Sequence, residues 1–262
     1  MHLEAFPASA ALLTRDGASA VASYGHKLVA PAQYTSRIQK GGAMLEEMRH
    51  LVRIWTDASV DANRSDVVRL NPLNKATRAR VLDVINRIFV PRFVAGPIPE
   101  SWRLLVPLEQ LNASTPIVKP LYFWLTASAD PLVYDFCCDY LANLRLKGVR
   151  KIDVADAASW IASKGNRWSE TVIIKVTRAL LAALRDFGVL EGKAKKQVAF
   201  QQLPLPSFSY LAFSLHHHLK VPARQLASHP DGDCFCSFLL MWNTFFSKRT
   251  RVAFSSTTSP AA

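Results

Sequence analysis

Thr171, Lys175, Arg178, Ala182 and Arg185 recur at intervals of four, three, four and three residues. On a helix this spacing sets a hydroxyl, an ammonium and two guanidinium groups along one edge, with no acid among them and a small residue where a partner could come close. Such an edge suits phosphate oxygens and, for Lys and Arg, the acceptor edge of guanine. Two further basic clusters flank it. Lys164 and Arg167 precede the helix, and Lys193, Lys195 and Lys196 follow it. A lone surface cation is ordinarily just solvated. The coincidence of an edge, a preceding turn and a basic tip favours nucleic-acid contact. Other chemistry finds no nominee. There is no Gly-rich phosphate loop, no recognisable pair of catalytic carboxylates and no nucleophile elbow, so the expectation is a protein that is not an enzyme and has no cofactor. His216, His217 and His218 are consecutive, so on a helix they point in different directions and read as a polar patch, not a metal site.

The elements that must position these cations are legible. Asp153 reads as the N-cap of a helix over Val154–Ser163. Lys164-Gly165-Asn166-Arg167 is a breaker, and a second helix spans Ser169–Phe187, closed by Gly188. Val172, Val176, Leu180, Ala183 and Phe187 form its core stripe. Val189 to Gly192, the basic tip and a strand over Gln197–Phe200 complete a helix, turn, helix and hairpin. That is the layout of a winged helix-turn-helix module. After the strand, Pro204 and Pro206 punctuate, and a helix is expected over Ser209–Leu219.

The preceding half reads as helices over Ala43–Trp55, Val60–Leu70 and Ala76–Phe89, the last stopped before Pro91. In the first, Glu46, Glu47, Arg49 and Arg53 are expected to point outward. The third carries Lys75, Arg78, Arg80 and Arg87, with Arg92 just beyond. Lys75, Arg78, Arg80 and Arg87 form a second candidate DNA-binding surface, for which a structural reading weighs equally. Short helices follow over Glu100–Leu111 and Thr115–Leu125, then one from Asp130-Pro131 to Lys147. Trp102, Tyr122, Phe123 and Trp124 read as core. The expected division is a disordered or non-domain leader at 1–33, an N-terminal helical module at 34–128, a C-terminal winged-helix module at 129–230 and an atypical tail at 231–262. The fold class is mainly α: two helical modules with helix-turn-helix or winged-helix character and one or two short β wings.

Of the 262 residues, 50% are hydrophobic, ample for buried cores, and the net charge is +12. That charge points to an acidic partner, nucleic acid or a lipid surface. It is spread as +5 over residues 34–125 and +6 over 126–230, so no polybasic tail explains it. No apolar run approaches the ~20 residues of a membrane helix, and the N-terminus lacks the pattern of a signal peptide. Cys137, Cys138, Cys234 and Cys236 form no C-x-x-C pair, which suggests a reducing cytoplasm without disulfides or zinc.

Several blocks resemble the BrxA family, the small protein of BREX bacteriophage-exclusion systems. They are Tyr34-Thr35-Ser36-Arg37 with Lys40-Gly41-Gly42-Ala43, Asn74-Lys75-Ala76-Thr77-Arg78, Trp168-Ser169-Glu170-Thr171 with Lys175-Val176, and Phe187-Gly188-Val189-Leu190. The resemblance spans roughly Tyr34 to Pro230. It implies a mostly helical, two-part, winged-helix protein that binds double-stranded DNA beside the system's methyltransferase, ATPase and phosphatase-like components. A protein adaptor within the defence complex, a transcriptional regulator of its own operon and an RNA ligand stay open as alternatives. The segment after His229-Pro230-Asp231 departs from the family pattern. Codons for residues 231–262 can be chosen whose neighbouring frame encodes an amphipathic helix continuing that pattern, so the expectation is a single-base frameshift near Asp231. The gene sequence decides it.

Overall fold

A computed structural model describes residues 34–165, 167–199, 203–218 and 220–222. The expected leader and the atypical tail expected at 231–262, including Cys234 and Cys236, lie outside the described residues. The chain is mainly helical with one small antiparallel sheet, as its periodicity implied.

Among the described residues, the first half is built from six helices. α1 is a single turn, Ile38–Gly41, too short for a helical periodicity to show in the sequence. α2 spans Leu45–Ile54 and buries Met48, Leu51 and Val52, residues at helical spacing. α3 spans Val60–Leu70, started by Ser59, whose hydroxyl accepts from the Ala62 N–H. α4 opens at Arg78–Val84 behind the Thr77 cap and runs on in π-helical geometry over Ile85–Val94. Pro91 therefore does not end this helix. The wider π turn, closed by the Ala95 N–H on the Val90 carbonyl, holds the ring inside it. α5 is Trp102–Gln110 and α6 is Thr115–Ala129. Seven consecutive residues of α6, Leu121 to Ala127, are buried, as befits a helix enclosed on all sides. Trp102, Tyr122, Phe123 and Trp124 lie in the core, as expected.

α7 starts at Pro131 behind Asp130, whose carboxylate accepts from the Leu132 N–H. It continues through a π segment, Phe136–Leu141, to Ala142–Leu146. The sheet and two helices then follow in the order β1 (Lys151–Ile152), α8 (Val154–Ser163), α9 (Glu170–Asp186), β2 (Leu190–Glu191) and β3 (Lys196–Val198). β3 is central: Ile152 pairs with Lys196 on one side, and Leu190 with Val198 on the other. α10 begins at Leu205 behind Pro204 and ends at Phe213, continuing in π geometry over Ser214–His218. It starts four residues before the expected Ser209, because Pro206 sits in the first turn, where no N–H is required. α10 returns to α6. There the Ser207 hydroxyl donates to the Ile117 carbonyl at 2.7 Å.

Candidate nucleic-acid interface

The α8–α9 pair is locally specified. Asp153 accepts from the Ala155 N–H at 2.7 Å, fixing the start of α8. Gly165 turns the chain with φ +75°, a conformation glycine adopts without strain. α9 ends at Gly188, φ +79°, where the Gly188 and Val189 N–H groups close on the Arg185 and Leu184 carbonyls. Val176, Leu180, Ala183 and Phe187 are buried, while Val172 is half-buried. The opposite edge presents Thr171, Lys175 and Arg178 to solvent, with Ala182 and Arg185 half-exposed.

The structure sorts the candidate cations by what already neutralises them. Lys175 and Arg178 are exposed and form no ion pair among the described residues. Arg167 is exposed just ahead of the helix. Arg185 is different, since it bonds its neighbour Asp186 at 2.6 Å. Lys164 is also engaged. Its ammonium lies 2.7 Å from Asp139 and 4.4 Å from the centre of the Trp160 ring. Lys164, joined by the Trp160 N–H, holds the Asp139 carboxyl below the usual carboxylate range.

At the hairpin tip, Lys193 and Lys195 are exposed, and the Lys196 ammonium turns back onto the Lys193 carbonyl at 3.1 Å. Gly192 makes the turn possible. Its φ is +87°, and a Cβ there would stand 2.1 Å from the Lys195 carbonyl oxygen. β1, at two residues too short to show in the sequence, adds Lys151 beside the hairpin and leaves it exposed.

The four cations of the second candidate surface do not stay together. Lys75 and Arg78 line a cleft of about 490 Å³ against α3, with Ser65, Arg69 and Asn71. Within it Lys75 is bound to Glu47 at 2.7 Å. Arg80 and Arg87 lie on another face of α4, toward α1. Arg80 donates to the Lys40 carbonyl at 2.9 Å, and Asp83 pairs with Arg87 at 2.9 Å and with Lys40 at 3.7 Å.

Arg49, expected to point outward, is buried, and so is Arg92. Arg49 reaches inward to Glu109 because α5 brings that carboxylate to the inner side of α2. Arg92 lies within the π segment of α4, donating to the Gly42 carbonyl at 2.9 Å. Burial pushes its pKa down to about 10, opposed by Asp130, whose own carboxyl burial raises. Neither belongs to an interface. The histidine run gives no metal cluster among the described residues. There His216 Nδ1 is 2.9 Å from the Val221 carbonyl, and His217 stacks on Phe213.

The family model for BrxA matches residues 32–214. The chain belongs to the BrxA family. It is accordingly a BREX-associated protein. Comparison with curated proteins and with solved structures gives no significant match. The blocks that carry the BrxA resemblance have visible structural jobs. The Tyr34 hydroxyl donates to Asp135 at 2.5 Å, joining the two halves. Gly41 lies against Ile88, where a Cβ would be 2.9 Å from that side chain. Asn71 and Lys75 exchange bonds across the turn before α4. No helix among the described residues of this BrxA-family chain is long and apolar enough to cross a membrane.

Proposed function

We propose that the chain is a DNA-binding accessory protein of a BREX phage-defence system, acting by binding and not by catalysis. The observation that carries this is the outer edge of α9, where Lys175 and Arg178 are exposed, unpaired and free of neighbouring acids along the stripe. Ion-paired cations lose little by staying paired, whereas unpaired ones gain most from phosphate. The strand order supports the winged-helix reading: β1 precedes the helix pair and joins the hairpin through its second strand. In this reading Lys175 and Arg178 meet the major groove. Thr171 and Arg167 contact the backbone at the helix start. Lys193, Lys195 and Lys196 form the wing. The protein would work in the cytoplasm beside the methyltransferase, ATPase and phosphatase-like components of its system.

The test is a titration of the full chain with labelled duplex at two salt concentrations, with competitor DNA of unrelated sequence. Binding that weakens steeply with salt, and that Lys175→Ala with Arg178→Ala weakens further without changing the unfolding midpoint, is the expected result. Unchanged affinity in that double variant removes α9 from the site. No binding at low salt leaves the adaptor reading.

A further inference from the structure

α1 is one turn long, yet it touches both halves of the chain. It packs on α9, where Gln39 Nε2 lies 3.4 Å from the Val172 carbonyl. Val172 is about 60° around the helix from Lys175, so α1 sits beside the exposed edge of α9 and not beneath it. Below, Gly41 fits so closely on Ile88 that a side chain there would collide. Laterally, Arg80 reaches across from α4 to the Lys40 carbonyl at 2.9 Å. Arg87 meets the same Asp83 carboxylate as Lys40, which places it on the α1 side of α4. Lys40 and Arg87 keep half or more of their side-chain surface exposed, at 50% and 57%. The acid set among them is Asp83, which is shared by Lys40 and Arg87. Glu47 stands at the margin, bound to Lys75 and within electrostatic reach of Arg80.

We infer that α1 joins the two basic faces into one surface that takes a single DNA duplex, with α9 in a groove and Lys40, Arg80 and Arg87 on the phosphates alongside. This rests on the DNA-binding reading above and goes further, because it places part of the site on the first half of the chain. The rigid seating of α1 matters to it. Phosphates recur at fixed spacing along a duplex, so cations on two helices reinforce each other only when their separation is held. Asp83 then restrains the surface, since its carboxylate competes with phosphate for Lys40 and Arg87.

The test uses the full chain and a labelled duplex of about 20 base pairs, roughly two helical turns. Stoichiometry is measured well above the dissociation constant, and affinity at several salt concentrations. The expected result is one duplex per chain. Lys40→Gln with Arg87→Gln should weaken binding on the order of tenfold at low salt and lower the salt slope by about 2. Asp83→Asn should act in the opposite direction, tightening binding, a change that misfolding cannot mimic. Two duplexes per chain, or an affinity indifferent to Lys40, Arg87 and Asp83 while Lys175→Ala with Arg178→Ala still weakens it, overturns this inference and leaves the DNA-binding reading standing. A wild-type chain that binds no duplex at low salt overturns both.

Discussion

Arg49 Nε lies 2.9 Å from Glu109 Oε1, and the Glu109 side chain is fully buried. The carboxylate also accepts from Arg53 at 2.6 Å and from the Tyr122 hydroxyl at 3.0 Å. α2, α5 and α6 thus share one buried charge. Removing it strands Arg49 in the core. Glu109→Ala should cost about 3–5 kcal/mol, measured by denaturant unfolding. Arg53→Gln, with its partly exposed side chain, should cost far less. Equal costs for the two would show that the carboxylate is not what holds the three helices together.

Lys164 lies close in sequence to the proposed recognition helix but is committed to Asp139. Lys164→Ala should leave DNA affinity within about twofold, because Asp139 neutralises its ammonium one to one and the Trp160 ring also holds it, whereas Lys40 and Arg87 share a single carboxylate and keep a net positive charge. A loss matching that of Lys175→Ala with Arg178→Ala would return Lys164 to the interface.

Asp139 gives a pH signature with a definite sign. Its carboxyl is held below the usual range in the folded state, so it contributes stability at pH values above its unfolded pKa and loses it as pH falls through the folded one. Asp139→Asn should therefore destabilise the protein at pH 7 relative to wild type, and the gap should narrow as pH falls below the ordinary aspartate value of about 3.9. Thermal unfolding midpoints of both proteins across that range check this. A gap that persists at low pH would assign the effect to lost packing or hydrogen bonding instead of charge.

The hairpin tip admits a backbone test. Gly192→Ala meets both the positive φ and the Lys195 carbonyl, so it should distort the turn and cost roughly 1–3 kcal/mol. Lys193→Ala with Lys195→Ala leaves the turn intact. It should lower the salt slope of duplex binding by about 2 without altering stability. A slope that does not move would exclude the wing from phosphate contact.

The legible part of this chain was the part specified locally. Asp153 as a cap, Gly188 as a stop and the stripe from Val176 to Phe187 all report on their own helix, and the structure keeps them. What the sequence hid depends on distant neighbours. Arg49 looks like any outward charge until α5 supplies Glu109, sixty positions away. Pro91 looks like a terminator unless the helix changes to π register around it. β1 is two residues long, too short for any alternation to show, and exists because β3 offers it an edge. The site divided in the same manner. Spacing put Lys175 and Arg178 on one exposed helix edge, but only tertiary structure could show Lys75 turned to Glu47 and Arg80 turned to α1.

The position of β3 between two strands from opposite ends of the module also sets an order of events. β2 and β3 are joined by a short turn and can meet early, whereas β1 reaches β3 only after α8 and α9 have folded the intervening chain back on itself. Closure of the sheet is thus a late step, and it reports that the helix pair has docked. Amide exchange at Ile152 and Val198 should accordingly follow the global unfolding of this half of the chain and not the fraying of a free hairpin. The wing would be presented to a partner only by molecules whose helices are already in place.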